Sequence, residues 1–178
     1  EDVLKENPDA VVVATGSTPI RDGFQGITGQ PIPGWNQPHV TIVDDILEGK
    51  TKAGNKVLIM DEEAHIKGPG IAHMLASQGK QVEIVDRHFM MGNDLDAVTR
   101  ARVHRIMAEQ GFKFTPMTLI KSIEKDQVTL YNTATGAPRV VEGVSTVILI
   151  TSRMANEALY LALKGKVKEL HRVGDCVA

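Results

Sequence analysis

The residues with the clearest chemical meaning form the loop after the apolar segment at residues 56–60. A loop between a buried strand and a helix binds the pyrophosphate of a dinucleotide when it reads G-x-G-x-x-G, because glycines let the backbone approach the phosphates. Aligned on this strand and on Gly79, the loop is about two residues longer than that pattern, and its first two glycine positions fall on Asp61 and Glu63. Only the third glycine is kept, as Gly68, where it permits close packing of helix on sheet.

Acidic side chains stand where the first glycines are missing. Three consecutive carboxylates, those of Asp61, Glu62 and Glu63, would repel a pyrophosphate at the mouth of the loop. The side chains at positions 61 and 63 would also block the backbone approach that glycine allows. Lys67 could supply a counter-charge. The sequence therefore argues against ordinary NAD(P)H binding at this loop.

A further acidic residue, Asp86, ends the next apolar segment at residues 81–85. In a dinucleotide fold a carboxylate at this position accepts hydrogen bonds from the adenosine ribose. The neighbouring Arg87 would instead favour a 2′-phosphate. An acidic strand end is also common in any α/β domain, so both the ribose role and a purely structural role stay open.

No pattern of residues indicates catalysis or a metal site, and we assign no catalytic residue. Cys176 is the only cysteine, and it has no partner for a disulfide or a redox pair, so we interpret it as a small buried side chain. His65, in the altered loop, is a weak site candidate and more simply a surface residue. No metal-ligand spacing is found among His65, His73, His88, His104 and His171.

The elements that would position these residues follow from hydrophobic periodicity. A helical pattern at residues 70–78 joins the apolar segments 56–60 and 81–85 and ends at Gly79, which predicts a right-handed parallel β-α-β unit. Other predicted elements are strands at 9–14, 112–120 (interrupted by Pro116) and 145–150, helices at 40–49, 94–110 and 153–163, a long loop at 16–39, and an antiparallel hairpin of 122–131 with 138–142. The predicted fold class is α/β, with a central parallel sheet and a small antiparallel hairpin.

Composition excludes several classes of protein. The 178 residues carry a net charge of −2 and only 4% aromatic residues, which argues against a nucleic-acid partner and against base-stacking folds. No apolar run approaches the length of a membrane span, so we expect no membrane contact and a cytoplasmic location. The chain opens at Glu1 as if it were cut from a longer polypeptide.

The order of the motifs resembles a known family. Ala14-Thr15-Gly16-Ser17-Thr18-Pro19 ends one apolar strand, Thr151-Ser152-Arg153 ends another, and Val173-Gly174-Asp175-Cys176 closes the chain around the β-α-β unit. This layout resembles the flavoproteins of the pyridine-nucleotide disulfide reductase superfamily, which have two dinucleotide-binding domains. The acidic loop and Pro31-Ile32-Pro33-Gly34 make it similar to the C-terminal region of trimethylamine dehydrogenase, 2,4-dienoyl-CoA reductase and related NADH:flavin oxidoreductases, including N-demethylases.

The resemblance implies a Rossmann-like FAD/NAD(P)-binding domain of three layers, accompanied by partial segments of an FAD domain. The implied domains are residues 1–50 (FAD-domain segment), 51–153 (NAD(P)-binding-like domain) and 154–178 (return to the FAD domain). It also implies that Ala14, Thr15 and Gly16 let the backbone approach a flavin cofactor, and that Gly174 and Asp175 serve the ribityl chain and pyrophosphate. The alternatives are a plain strand-to-loop exit at Gly16 and a helix N-cap at Asp175.

In that family an FMN-carrying TIM barrel and a 4Fe-4S cluster precede this region. The resemblance therefore implies an enzyme whose catalytic residues lie outside this chain, so that the fragment alone is inactive. The implied partners are the rest of the polypeptide, an electron-transfer partner and a second copy of the chain. The alternative function is a degenerate module that holds ADP, or only supports structure, without redox activity.

Overall fold

The computed structural model describes residues 2–177, which form two compact units. In chain order the strands are β1 (Ala10–Val13), β2 (Ser17–Pro19), β3 (Val40–Ile42), β4 (Lys56–Asp61), β5 (Gln81–Val85), β6 (Lys113–Thr115), β7 (Thr118–Ile123), β8 (Gln127–Asn132), β9 (Pro138–Glu142), β10 (Thr146–Ile150), β11 (Arg153–Ala155) and β12 (Glu169–Arg172). The helices are α1 (Asp2–Lys5), α2 (Val43–Leu47), α3 (Lys67–Ser77), α4 (Ala97–Gln110) and α5 (Ala158–Leu163), and a short 3₁₀ helix spans Gly174–Cys176.

The larger unit, residues 21–152, is built around a parallel sheet of five strands in the order β3-β10-β4-β5-β6. Strand β4 pairs with β10 on one side and β5 on the other, with Met60 opposite Leu149 and Val85. Helix α3 makes the crossover from β4 to β5, and α4 makes the crossover from β5 to β6. The predicted α/β class, central parallel sheet and β-α-β unit are confirmed.

Side chains of β4 alternate between the two faces of this sheet, as a period of two requires. Val57 and Ile59 are buried against apolar residues of α3 and α4 on one face. Leu58 and Met60 are buried on the other face, against the sheet β7-β8-β9. That second sheet is antiparallel and has three strands, so the predicted hairpin of 122–131 with 138–142 is only partly correct. Residues 122–123 belong to β7, which follows the predicted interruption at Pro116, and the strand that pairs with β9 is β8.

Both long helices end where the sequence predicts. Gly79 and Gly111 follow α3 and α4 with φ of 79° and 72°, a left-handed conformation that glycine adopts without strain. Asp96 precedes α4, and its carboxylate accepts hydrogen bonds from the backbone N–H groups of Val98 and Thr99, both at 3.0 Å. The side chain of Asp96 therefore caps the helix N-terminus.

Three other predicted elements differ from the structure. The segment at 40–49 is strand β3 followed by the short helix α2, and the segment at 153–163 is strand β11 followed by α5. The loop at 16–39 contains β2 and is packed rather than open, since Gln25 donates to the carbonyl of Ile120 at 2.7 Å and Ile32 is buried. The structure of these segments depends on contacts with residues distant in sequence, and local hydrophobic periodicity carries no information about such contacts.

The smaller unit combines residues 2–20 with residues 153–177. It contains two small sheets, the parallel pair β1-β12 and the antiparallel pair β2-β11. Val13, Leu163 and Cys176 form its buried centre. Within residues 2–177, no helix combines the length and apolar character needed to cross a membrane.

Candidate functional site

The carboxyl ends of β4 and β5 are adjacent in the parallel sheet, and an acidic residue stands at each of them. Asp61 is the last residue of β4, and Asp86 directly follows β5. Both are 1% exposed. Clefts at the carboxyl ends of parallel strands are where open α/β sheets bind ligands, so this edge is the first candidate site.

The Asp61 side chain folds back under the loop. Its Oδ1 atom accepts hydrogen bonds from the backbone N–H groups of Glu63 and Ala64, both at 3.1 Å. A Cβ atom at Gly68 would lie 2.0 Å from Asp61 Oδ2, so only glycine allows the first turn of α3 to come this close to the strand end. The carboxylate thus occupies donors that, in a phosphate-binding loop, face the ligand.

The three carboxylates of the loop do not all lie at its mouth, and that part of the prediction is wrong. Asp61 and Glu62 are both buried. The Asp61 carboxylate accepts from the loop backbone, and the Glu62 N–H extends the pairing of β4 with β10 by donating to Ile150 O at 2.7 Å. Glu63 is bound by Lys67, whose Nζ lies 2.8 Å from both carboxylate oxygens. Lys67 is therefore committed to Glu63.

Asp86 is held by the backbone and side chain of His88. Its Oδ1 accepts from the His88 N–H at 2.9 Å and contacts His88 Nδ1 at 2.7 Å. Its Oδ2 is buried without a hydrogen-bond partner among residues 2–177. Arg87 and His65 are exposed. One Asp86 oxygen is thus free of protein partners, and the proposed ribose contact stays a prediction.

Burial raises the pKa of these carboxyl groups. It raises the pKa of Asp61 to about 7, and the nearby charge of Asp86 adds to this effect. Burial also raises the pKa of Glu62 to about 7, against an opposing contribution from Arg87, and both Glu62 carboxylate oxygens lack a partner in the described part of the chain. The pKa of Asp86 is raised by burial too, and the contacts with His88 offset part of this. The sequence pattern gave no sign that Glu62 is buried.

The smaller unit brings the other predicted site residues together. Strands β1 and β12 are parallel with Val13 opposite Arg172, so Thr15 and Gly16 leave one strand end where Gly174 and Asp175 leave the other. Gly16 and Gly174 have φ of 67° and 71°, and a Cβ atom on either would meet open space.

Polar contacts fix the first of these turns. Thr15 Oγ1 donates to Asn156 O at 2.7 Å, and Asn156 Nδ2 donates to Thr15 O at 2.9 Å. Ala14 and Thr15 are exposed. The turn is therefore held by two hydrogen bonds and remains exposed.

The second turn, at Gly174 and Asp175, can be interpreted from the sequence either as a cofactor contact or as a helix N-cap, and the structure rules out the N-cap. Asp175 lies inside the 3₁₀ helix Gly174–Cys176, which begins after Val173 and has no side-chain cap, so the N-cap role of Asp175 is wrong. The exposed Asp175 carboxylate instead accepts from Ser17 Oγ at 3.4 Å. Cys176 is buried, as predicted, with Sγ 3.2 Å from Val13 O.

The known proteins that this chain is similar to include an amine dehydrogenase and a demethylase. A dimethylamine dehydrogenase of Hyphomicrobium sp. (strain x) is 28% identical over an alignment of 188 positions, which covers 95% of this chain and 26% of that protein. A probable N-methylproline demethylase of Rhizobium meliloti (strain 1021) is 26% identical over 125 residues, or 70% of this chain and 17% of that protein. The chain thus spans about a quarter or less of the length of these relatives.

A solved structure agrees over nearly the whole chain. The 6-hydroxypseudooxynicotine amine oxidase from Pseudomonas geniculata N1 superposes with a TM-score of 0.90 and 28% identity, covering 99% of this chain and 27% of that one. The model of the OYE-like second alpha/beta domain matches residues 41–156. Because this match covers more than half of the sequence, the chain belongs to the OYE-like second alpha/beta domain family.

Proposed function

We propose that this chain is the nucleotide-binding-like, electron-transfer portion of a flavin-dependent oxidoreductase of the amine dehydrogenase or N-demethylase type. The observation that carries the proposal is the similarity over 95–99% of the chain to a dimethylamine dehydrogenase and an amine oxidase. The other substrate class to be tested is enoates or dienoyl-CoA esters, which a reductase would act on. The protein would work in the cytoplasm, with an electron-transfer partner and as a homo-oligomer.

The smaller unit fits the edge of an FAD-binding domain. A sheet of two parallel strands cannot bury both faces alone, and Val12 is 62% exposed on β1, so further chain from the same polypeptide would complete it. In the completed domain the turn at Ala14, Thr15 and Gly16 would contact FAD through the backbone. Gly174 would allow the same approach, and the Asp175 carboxylate would accept from hydroxyl groups of the cofactor.

The other redox groups would lie elsewhere in the polypeptide. A 4Fe-4S cluster needs several cysteine thiolates, and this chain has one cysteine, which is buried among apolar residues. FMN would belong to the barrel domain, together with the catalytic residues. We therefore expect the 178-residue chain by itself to catalyse no amine oxidation.

Pyridine nucleotides do not fit the loop of the larger unit. The N–H groups of Glu63 and Ala64 already bind the Asp61 carboxylate, and a pyrophosphate would have to displace it. The second candidate function is a structural module or one that holds ADP, and the loop favours the structural module, because the diphosphate of ADP would have to displace Asp61 as well. In a module that holds ADP, Asp86 Oδ2, which is buried without a partner among residues 2–177, would have to become exposed to accept from the ribose.

The proposal is tested on the full-length polypeptide that contains this sequence. We expect bound flavin in the visible absorption spectrum, and bleaching of that absorption when dimethylamine is added without oxygen. A flavin-free protein would contradict the proposal. Bleaching by a reduced pyridine nucleotide, with none by dimethylamine, would assign the other substrate class.

The role of the glycine turns has a matched control. Gly16→Ala and Gly174→Ala each place a methyl group at a positive φ in open space, and Gly165→Ala does the same away from the turns, with φ of 76°. Each should cost about 1 kcal/mol of stability. Only the changes at Gly16 and Gly174 should lower the FAD content of the full-length protein, at least several-fold. Equal FAD content in all three variants would show that neither turn contacts the cofactor.

A further inference from the structure

The end of the parallel sheet opposite the acidic edge contains a cavity of about 330 Å³. It opens at the amino ends of β4 and β5, and Val57, Leu58, Val82, Val141 and Val144 supply its apolar walls. This volume is at the lower limit of small-molecule sites. No role in the proposed function involves this cavity.

Lysines from three adjacent strand starts line the same cavity. Lys56 begins β4, Lys80 precedes β5, and Lys113 begins β6. Neighbouring strands are about 4.8 Å apart, so the three lysines are spread over about 10 Å of one sheet edge. Their convergence follows from the parallel topology and is not visible in the sequence.

Two of these cations have no acidic partner. Lys56 Nζ donates to the Glu142 carbonyl and Lys80 Nζ to the Ala53 carbonyl, both at 2.7 Å. Among residues 2–177, neither ammonium lies within ion-pairing distance of a carboxylate. Each carbonyl contact uses one of three ammonium donors, so both groups are positioned and still able to donate to a ligand.

The one carboxylate in the lining is already neutralised. Glu83 accepts from Arg139 and from Thr115, and its Oε1 is 3.3 Å from Lys113 Nζ. Burial would raise the pKa of Glu83, but the contacts with Arg139, Thr115 and Lys113 outweigh it and lower that pKa. The cavity therefore has an excess of positive charge above an apolar floor.

We propose that this cavity binds a small organic anion, with a carboxylate or phosphate held by Lys56 and Lys80 and an apolar body against the valine side chains. The site is separate from the proposed cofactor contacts, so it stands or falls independently of the proposed function.

The test follows backbone amide shifts of the ¹⁵N-labelled chain by NMR during titration with benzoate, phenyl phosphate and benzylamine. We expect saturable shifts at the amides of residues 56–58 and 81–83 with one or both anions, at a Kd of about 1 mM or below. Benzylamine should give none. The preferred anion identifies the ligand class, because benzoate reports a carboxylate site and phenyl phosphate a phosphate site.

The double variant K56Q/K80Q should weaken anion binding at least about tenfold, whereas K125Q/K166Q, which changes two exposed lysines elsewhere, should not. Raising the salt concentration with the unchanged protein should weaken binding several-fold, which tests the charge without any substitution. Shifts that do not saturate, equal binding of benzylamine, or equal affinity of the two double variants would each overturn the proposal.

Discussion

Gly68→Ala should lower the free energy of unfolding by about 2–4 kcal/mol. The new methyl group would lie 2.0 Å from Asp61 Oδ2 and 2.7 Å from Asp61 Cγ. Asp61 cannot move away without losing the hydrogen bonds from Glu63 and Ala64 inside a buried site. Urea unfolding followed by circular dichroism measures the change.

Gly70→Ala is the matched control, since Gly70 lies in the same helix and a methyl group there meets nothing within 4 Å. It should leave stability unchanged or raise it by up to about 1 kcal/mol, because alanine favours the helix. A cost for Gly68→Ala within about 0.5 kcal/mol of this control would contradict the described contact. Combining Gly68→Ala with Asp61→Ala should cost less than the sum of the two single changes.

Asp61→Asn should make the chain more stable at about pH 8 and reduce the fall in stability between about pH 5 and pH 8. The folded pKa of Asp61 is about 7, above its ordinary value of 3.8. The folded state therefore holds this proton more tightly than the unfolded state. Its stabilising contribution is complete below about pH 4, declines as the pH rises towards 7, and is absent above it.

The expected gain at about pH 8 is about 2 kcal/mol, below the limit of about 4 kcal/mol that a shift of about three pKa units sets. Asparagine keeps the Oδ1 acceptor for Glu63 and Ala64, so the loop should survive the change. Urea unfolding across this pH range gives the profile, with Asp126→Asn in an exposed turn as the control. Glu62 also has a pKa of about 7, so some fall in stability should remain in the variant. A profile of Asp61→Asn that parallels the unchanged protein would show that Asp61 does not titrate in this range.

Much of the fold could be predicted because its signals are local. The apolar run at 56–60 forms β4. Gly79 and Gly111 follow α3 and α4, where a glycine with positive φ ends each helix. The segments 40–49 and 153–163 could not be assigned by the same means. Pairing of β3 with β10 and of β11 with β2 decides them, and those partners are distant in the chain.

The candidate site was predictable in position but not in arrangement. The loss of the first glycines identified the loop, and the parallel strands determine which residues share its edge. A run of three acids is ordinarily a solvated surface, and the burial of Asp61 depends on two N–H groups that only the folded loop presents. One signal was available, since an aspartate commonly accepts from the N–H groups two and three residues ahead.

The Asp61 carboxylate occupies backbone donors that a pyrophosphate would need, and this contact is what would keep NADH and NADPH from binding the loop. Calorimetric titration of the 178-residue chain with NADH and with NADPH tests this directly. The structure predicts no saturable heat of binding up to about 1 mM of either nucleotide. Binding of NADH or NADPH with a Kd in the micromolar range would contradict it.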